Sequence, residues 1–434
     1  MAKRRYAQVG IGGRSRMFTN AITGPYADRC VLVGFCDTNP GRMALRNREL
    51  PEGHPQVPTY PAEDFDRMIA EQRPDAVIVT TVDRFHDEYI CRAMERGCDA
   101  ITEKPMTISA EKCQRIVDTV ARTGRDLRVT FNYRYAPPRS QVKELLMDGA
   151  VGEIISVDFH WMLNTRHGAD YYRRWHRNKR NSGGLLVHKA THHFDLVNWW
   201  IASTPVEVYC TGARRFYGPW TAERLGLAGR GERCHDCPVA EKCPFRLDMA
   251  RHERMRALYL DQEHHDGYFR DRCVFSDEID IEDTMEACVR YRNDVRMSYS
   301  LNSFCPWEGY IVTFNGTKGR LEHRMVESVY VSGDGNVPGE IIRTGTHIVV
   351  LPMHGEPYDV EIRSGKGGHG GGDPVLLDDV FAEEPRPDPL GRAAGLADGA
   401  WSILTGVAAN ESMRTGKPVR ADRLVRNAPL PDVA

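Results

Sequence analysis

The sequence has almost no net charge and no long apolar run, and each absence excludes a class of protein. Its 434 residues include 58 Lys and Arg against 60 Asp and Glu, a formal charge of -2. The net charge therefore gives no overall electrostatic attraction to nucleic acid or to an anionic membrane. No segment approaches the roughly 18 to 20 uninterrupted apolar residues that a membrane helix requires. The basic start, Met1–Arg5, runs directly into a strand pattern without the apolar region of a signal peptide, so we predict a cytoplasmic protein.

The chain is too long for one ordinary hydrophobic core, which predicts two domains. Residues 5 to about 125 alternate strand and helix patterns, as expected for a parallel, doubly wound α/β sheet of the Rossmann type. From Ile154 the strand patterns are longer and hairpin-like, which indicates an antiparallel sheet with helices on one face. We predict a Rossmann domain at 1–125 and an α+β domain with a large, mostly antiparallel open sheet at 126–434. We expect the last helical pattern, about 398–414, to pack back on the Rossmann domain.

A glycine-rich loop follows the first predicted strand. Gly10, Gly12 and Gly13 come directly after the apolar run that ends at Val9, and a helical pattern follows them. Glycine allows a tight turn and a close approach of the backbone to a pyrophosphate, whose charge the helix N-terminus stabilises. The third glycine of the usual fingerprint is replaced by Ser15, which is small enough for close helix packing, and Arg14 is placed to contact phosphate. The loop predicts a dinucleotide site.

The second predicted strand ends at Asp37, and this position favours NAD as the dinucleotide. A carboxylate there accepts hydrogen bonds from the adenosine ribose hydroxyls. The same charge repels a 2′-phosphate, which disfavours NADP. Thr38 belongs to the same turn, and Arg42 lies near enough in sequence to weaken the preference.

Later motifs carry a resemblance to a known family. They are Glu103-Lys104-Pro105 after a strand end, Phe131-Asn132-Tyr133-Arg134-Tyr135, the run from Gly183 to Asp195 with its histidines, and the loop His369-Gly370-Gly371-Gly372-Asp373. In this order, over nearly the whole chain, the sequence resembles the glucose–fructose oxidoreductase and inositol dehydrogenase (Gfo/Idh/MocA) family. The resemblance implies NAD(P)-linked oxidation or reduction of a sugar, cyclitol or related polyol. It also implies dimers or tetramers built through the C-terminal sheets.

Oxidation of a secondary alcohol needs a base for the hydroxyl proton while hydride leaves for the nicotinamide. Lys104 can donate a hydrogen bond to the reacting oxygen, and burial can lower its pKa towards neutrality. His192 is placed like the catalytic histidine of the family, and Asp195 could orient it. His188 faces the same side of a helix but stands where many members carry Asp, so the identity of the base stays open. Lys189 adds a cation beside them.

The motifs and the resemblance together define the predicted site. The cofactor residues are Gly10, Gly12, Gly13, Arg14, Ser15, Asp37, Thr38, Arg42, Thr81, His86, Glu103, Lys104, Asn132 and Arg134. The substrate residues are Lys104, Tyr133, Arg173, Trp175, His188, Lys189, His192 and His369. Arginines and aromatic residues interleave between Arg166 and Arg180, which suits a sugar that carries an anionic group. The alternative interpretation of that stretch is a solvated basic face.

Twelve cysteines are present, and four lie in or near a polar insertion at about 214–275. They are Cys234, Cys237, Cys243 and Cys273. Thiolates two residues apart can hold one side of a tetrahedral zinc ion, and a metal would order a segment with few apolar residues. We predict a structural zinc site. An iron–sulfur cluster, unligated cysteines, or a fourth ligand at His235 or His252 are alternatives.

Three functions fit these observations. The first is an NAD-dependent oxidoreductase acting on a secondary hydroxyl of a sugar, glycoside or cyclitol. The second is glycoside cleavage by transient oxidation, elimination, water addition and re-reduction, for which His188, Tyr133 or His369 could supply a further acid or base. The third is a non-catalytic sugar sensor, which the intact Lys104 and His192 disfavour. In each case we expect a homodimer or homotetramer whose ligand is a small carbohydrate, without nucleic acid or membrane as a partner.

Overall fold

The structure is a computed structural model that describes residues 2–328, 340–341, 345–384 and 387–431. The strands of the first sheet are β1 (Arg4–Val9), β2 (Cys30–Asp37), β3 (Thr59–Pro61), β4 (Ala76–Val79), β5 (Asp99–Thr102) and β6 (Leu127–Val129). The helices between them are α1 (Ser15–Thr23), α2 (Pro40–Arg48), α3 (Phe65–Gln72), α4 (His86–Glu95) and α5 (Ala110–Thr123). All six strands pair in parallel, in the order β3-β2-β1-β4-β5-β6. The predicted Rossmann fold is confirmed, and its last strand, β6, lies just beyond the predicted domain end at residue 125.

Alternating apolar residues explain why helices cover both faces of this sheet. Ile78 packs with residues of α1 such as Phe18, while Val77 and Val79 pack with residues of α4 and α5 such as Ile90. The strand order reverses between β1 and β4. In open parallel sheets, ligands bind at the carboxyl ends of the strands at such a reversal, so the fold itself locates the cleft.

The second part of the chain begins with α6 and contains the following elements. They are α6 (Pro137–Met147), β7 (Ile154–Asn164), α7 (Thr165–Arg173), α8 (Lys179–Ser182), α9 (Leu185–His188), α10 (Thr191–Trp200), β8 (Pro205–Ala213), α11 (Pro219–Arg224), α12 (Glu253–Leu258), α13 (Glu263–Asp266), β9 (Thr284–Tyr291), β10 (Arg296–Cys305), β11 (Glu308–Gly316), β12 (Gly319–Ser328), β13 (Glu340–Ile341), β14 (His347–Pro352), β15 (Tyr358–Val360), α14 (Gly368–Val380), α15 (Leu396–Thr415) and β16 (Val419–Arg420).

These strands form a ten-stranded sheet in the order β15-β14-β12-β11-β7-β10-β9-β8-β16, with β13 paired to β12. Among the described strands of this sheet, only β7 and β10 pair in parallel. The mostly antiparallel second sheet is therefore confirmed. Trp161 and Tyr310 are buried against the helix α10 and belong to one large core cluster with Phe194. This packing holds α10 beside the carboxyl ends of the strands of the first sheet.

The long C-terminal helix α15 contacts both parts of the molecule. Its residues Trp401 and Leu404 share a core cluster with Val129 and Cys113 of the Rossmann domain, while Ala408 belongs to the core of the second domain. The helix therefore fixes the two domains against each other across the cleft. In the described part of the chain, no helix is both long and apolar enough to cross a membrane.

Candidate active site

A cavity of about 940 Å³ lies between the two domains, at the carboxyl ends of β1, β4 and β5. The glycine loop lines it at one end, and the histidines of α9 and α10 line it at the other. Twelve of the fourteen predicted cofactor residues and seven of the eight predicted substrate residues line this cavity. Ser15, Arg134 and Arg173 do not.

The backbone of the glycine loop requires glycine at Gly10 and leaves open space at Gly12. Gly10 has a φ of +84°, and a Cβ there would lie 2.6 Å from the Thr81 backbone nitrogen. A Cβ on Gly12 would meet nothing within 4 Å. Ser15 is fully buried, and its hydroxyl donates to the Gly12 carbonyl at 2.7 Å. Ser15 thus shapes the loop and does not face the cavity.

Asp37 stands at the end of β2 with both carboxylate oxygens engaged. One accepts from the Ile11 backbone N–H, and the other accepts from the Asn39 backbone N–H at 2.7 Å. Burial raises the pKa of this carboxyl, against the opposing influence of Arg42. The open space at Gly12 and the carboxylate at the strand end fit the pyrophosphate and ribose of NAD.

An ion-pair network ties the glycine loop to the late glycine-rich loop. Arg14 Nε donates to Glu103 at 2.6 Å, and its Nη1 lies 3.6 Å from Asp373. Asp373 also accepts from Asn132 at 2.6 Å and lies 3.0 Å from Nδ1 of His369. The network places His369, whose φ is +51°, at the wall of the cavity.

His86 supports the turn that carries the lysine. Its Nδ1 lies 2.8 Å from the Pro105 carbonyl and its Nε2 lies 3.2 Å from the Thr81 carbonyl. Burial lowers the pKa of this histidine, while the two carbonyl contacts oppose that shift. His86 therefore braces two loops at the sheet edge.

Lys104 follows β5 and points across the domain boundary. Its Nζ donates to the His188 carbonyl at 3.2 Å. Burial lowers its pKa to about 8, although the carboxylates of Asp83 and Glu103 oppose that shift. A lysine with this pKa can hold or release a proton near neutral pH.

His188 is paired with Asp83, a residue that our sequence reasoning missed. The Nδ1 of His188 lies 2.5 Å from the Asp83 carboxylate. Burial lowers the pKa of His188 well below its ordinary value and raises the pKa of Asp83 well above its ordinary value, although Lys104 and Arg174 oppose the shift of Asp83. With Nδ1–H donated to the carboxylate, Nε2 is the nitrogen that can accept a proton. The available signal for Asp83 was its place just after β4, at the same sheet edge as Lys104.

His192 lines the same cavity and lies beside Tyr133. The two rings stack with centroids 4.0 Å apart. Lys189 Nζ donates to the Tyr133 hydroxyl at 3.1 Å and lies 4.5 Å from the Trp161 ring. Burial lowers the pKa of His192 well below its ordinary value. Within the described residues its Nδ1 has no partner.

Two predictions that involved Arg134 require correction. Asp195 does not orient His192, because both of its oxygens accept from Arg134, at 2.9 and 2.6 Å. Arg134 also binds Asp398 at 2.8 Å. This buried ion-pair cluster faces a separate, smaller cavity, so Arg134 supports the fold behind the site and does not line the cofactor cavity.

The predicted substrate residue Arg173 also requires correction. It is the last residue of α7, and its guanidinium donates to the carbonyls of Ala169 and Phe245 at 3.4 and 3.2 Å. The chain becomes extended at Arg174, which turns that side chain into the cavity, where His176 also lies. The residue at which α7 ends determines that Arg174, and not Arg173, lines the cavity. The sequence pattern did not define that residue.

The structure does not support the predicted zinc site. Across the described ranges, no group of three or more His, Cys, Asp or Glu side chains is placed to hold a metal ion. Cys237 accepts a hydrogen bond from the Gly231 N–H at 3.3 Å, and burial raises the pKa of Cys234 and Cys243.

The insertion is ordered by other means. It has a small apolar cluster of its own, Met249, Met255, Leu258 and Tyr259. Arg233 also binds Asp271 and Glu263 at 2.8 and 2.6 Å. The premise that the insertion lacks apolar residues for a core was therefore wrong.

The fold and the cavity define an oxidoreductase that binds NAD in its Rossmann domain. Residues 4–131 match the family described as "Oxidoreductase family, NAD-binding Rossmann fold". Residues 143–420 match its companion, "Oxidoreductase family, C-terminal alpha/beta domain". The chain belongs to the Gfo/Idh/MocA oxidoreductase family.

Known relatives agree with this assignment. YteT of Bacillus subtilis (strain 168), whose name describes an oxidoreductase, is 36% identical over 426 residues, which cover 94% of this chain and 96% of YteT. An inositol 2-dehydrogenase/D-chiro-inositol 3-dehydrogenase of Lactiplantibacillus plantarum is 27% identical over 44% of this chain and 50% of its own. The WlbA dehydrogenase of Bordetella pertussis, solved with NADH and UDP-GlcNAcA, has the same fold, with a TM-score of 0.64 at 18% identity over 96% of this chain and 99% of its own.

Proposed function

We propose that the protein is an NAD-dependent dehydrogenase that oxidises a secondary hydroxyl of a sugar, glycoside or cyclitol, or reduces the corresponding ketone. The observation that supports this most is the meeting of Lys104, the Asp83–His188 pair and His192 in one cavity with the glycine loop. NAD, when bound, supplies the hydride acceptor. The relative named inositol 2-dehydrogenase/D-chiro-inositol 3-dehydrogenase supports a polyol as substrate class.

In this proposal His188 is the general base. Its Nε2 takes the hydroxyl proton, and the Asp83 carboxylate stabilises the imidazolium that forms. The Lys104 ammonium donates a hydrogen bond to the same oxygen and stabilises the alkoxide character that develops there. His192 and Lys189 position the sugar ring, and Tyr133 contacts both of them.

The substrate is proposed to carry an anionic group that Arg174 binds. Asp170 is the carboxylate beside it, at 3.5 Å, but Arg270 binds both oxygens of Asp170 at 2.7 Å. Because Asp170 is shared with Arg270, it compensates the charge of Arg174 at the cavity wall only in part. Guanidinium beside aromatic rings such as Trp175 suits a carboxylated or phosphorylated sugar.

Redox-neutral glycoside cleavage is the second candidate. It needs an acid or base beyond the Asp83–His188 pair, and His369 lines the opposite wall with Asp373 3.0 Å from its Nδ1. A relative named glycosyl hydrolase family 109 protein 1, from Akkermansia muciniphila, is 27% identical over 43% of this chain and 40% of its own.

A substrate screen separates the two candidates. Purified protein is incubated with NAD and a panel of polyols, sugars, uronic acids and aryl glycosides, and both reduced cofactor and released aglycone are measured. A dehydrogenase accumulates NADH in proportion to product. Aglycone release without NADH accumulation would replace the proposal with glycoside cleavage, and inactivity across the panel with retained NAD binding would favour a sensor.

A cytoplasmic homodimer or homotetramer is also proposed. The outer face of the ten-stranded sheet exposes apolar side chains, including Tyr209, at 41%, and Ile311, at 36%. Exposed apolar residues on one sheet face suit a contact with a second copy. Light scattering at several concentrations measures the mass, and a monomer throughout would contradict the proposal.

A further inference from the structure

The polar insertion docks on the Rossmann domain directly beside the adenosine end of the cavity. Its helices α12 and α13 lie against α2, the helix that follows Asp37. The Asn39 side chain donates to the Gln262 carbonyl at 3.0 Å. His265 and Asp266 of the insertion line the cavity together with Asp37. The cofactor cleft thus has an outer wall that the Rossmann fold does not itself provide.

Gly41 permits this close docking. A Cβ at that position would lie 1.7 Å from the side-chain oxygen of Gln262 and 3.1 Å from the His265 ring. The α2 backbone at Gly41 is therefore in direct contact with side chains of the insertion. A side chain at position 41 would require the Gln262 side chain to move.

The insertion also occupies Arg42, the residue that would otherwise be available to a 2′-phosphate. Arg42 Nη1 lies 2.7 Å from the Asp266 carboxylate, and its Nε donates to the Leu258 carbonyl at 3.3 Å. The guanidinium lies 5.8 and 5.7 Å from the rings of Tyr259 and Tyr268. Arg42 is 8% exposed, so this arrangement holds it in a fixed position.

A second buried ion pair holds the insertion in place from the other domain. Arg270 binds both oxygens of Asp170, in α7, at 2.7 Å. Arg270 is fully buried and Asp170 is 7% exposed. Because bidentate pairs of this kind fix orientation, the position of Asp266 is set by both domains.

We propose that Asp266 is a cofactor-specificity residue that selects NAD against NADP by occupying Arg42, the cation that would otherwise be free to bind a 2′-phosphate beside Asp37. A 2′-phosphate carries close to two negative charges at neutral pH. In this cleft it would meet the carboxylate of Asp37, while the Arg42 guanidinium is already paired with Asp266. The 2′-hydroxyl of NAD carries no charge and can donate a hydrogen bond to the Asp37 carboxylate.

The test measures binding and does not depend on turnover. Dissociation constants for NAD+ and NADP+ are determined by calorimetry for the full-length protein and for Asp266→Asn. We expect the ratio of the NADP+ to the NAD+ dissociation constant to fall at least about tenfold, because Arg42 becomes available to phosphate. Adding Arg42→Ala to this variant should restore the wild-type ratio.

The matched control is Asp261→Asn, which removes an equal charge from an exposed pair with Arg256 in the same insertion. It should leave the ratio unchanged. Equal shifts in Asp261→Asn and Asp266→Asn, or no shift in a folded Asp266→Asn, would overturn the proposal.

Arg42→Ala alone gives an independent measurement if the Asp266 variant fails to fold. Arg42→Ala removes the cation that pairs with Asp266 and leaves the carboxylates of Asp37 and Asp266 beside the 2′-phosphate, so the ratio should rise. A ratio that falls or stays unchanged would overturn the assignment, because Asp266 would then exert no charge at the phosphate.

Discussion

The two ends of the cavity are built in different ways. At the cofactor end, the loop from Gly10 to Ser15 is one short segment, with glycine at a φ of +84° and a serine hydroxyl on the Gly12 carbonyl, packed against the backbone of Thr81. At the chemical end, His188 is joined to Asp83 across 105 positions of sequence, and Lys104 reaches the His188 carbonyl across 84. Binding of the cofactor and chemistry on the substrate should therefore be separable by mutation.

The largest loss of turnover without loss of cofactor binding is expected for Lys104→Met. The substitution keeps the buried aliphatic stem and removes the ammonium that stabilises the reacting oxygen, so kcat should fall roughly 1,000-fold. NAD+ affinity, measured by calorimetry, should change little. The matched control is Lys143→Met, because Lys143 is also buried, with a pKa lowered to about 8 mainly by burial, but lies beside a different cavity. Equal losses of turnover in both variants would remove the proposed role of Lys104.

A smaller loss, about 100-fold in kcat, is expected for Asp83→Asn, because the imidazolium of His188 loses its carboxylate. The pH profile provides a second readout. Asp83 is the carboxylate that most opposes the lowering of the Lys104 pKa. Its removal lowers that pKa further, so the Lys104 cation is lost at a lower pH and the alkaline limb of activity, near pH 8 in the native protein, moves down.

A double-mutant cycle tests whether Asp83 acts through His188. If it does, Asp83→Asn added to His188→Asn should cost little more than His188→Asn alone. Additive losses, or an alkaline limb that stays in place, would show that Asp83 has only a structural role.

The next largest effect is expected in KM, and it should differ between two neighbouring arginines at the substrate end of the cavity. Arg174→Ala should raise KM for an anionic sugar roughly tenfold and leave KM for a neutral analogue unchanged, because only the charged contact is lost. Arg173→Ala should show no such selectivity, since that side chain donates to backbone carbonyls outside the cavity. Steady-state kinetics on a paired uronic acid and neutral sugar measure the difference. A similar rise in KM for both substrates would indicate a structural role for Arg174.

The smallest expected effect concerns the insertion. Treatment with a strong chelator should leave the melting temperature within about 2 °C of the untreated protein, because the apolar cluster and ion pairs hold the segment without a metal. Mass spectrometry of the native protein should find no stoichiometric zinc. One zinc per chain, lost on substitution of Cys234 by serine, would restore the zinc prediction.

The comparison of the two ends also explains which sequence predictions were reliable. The strand, glycine loop and Asp37 lie within one βαβ unit, where short-range patterns report backbone conformation directly. Asp195 looked well placed to orient His192 because it is three residues away in the same helix, but its side chain binds Arg134 instead. Proximity along a helix gives the face of a side chain and does not give its partner.

By itself the sequence determined the Rossmann sheet, the antiparallel second sheet and the family, because each depends on patterns within a few tens of residues. Only the tertiary structure decided that Asp83 pairs with His188, that Arg174 rather than Arg173 enters the cavity, and that Asp266 holds Arg42. Such contacts join residues about 100 to 220 positions apart or depend on the residue at which a helix ends. Local pattern and propensity specify neither of these.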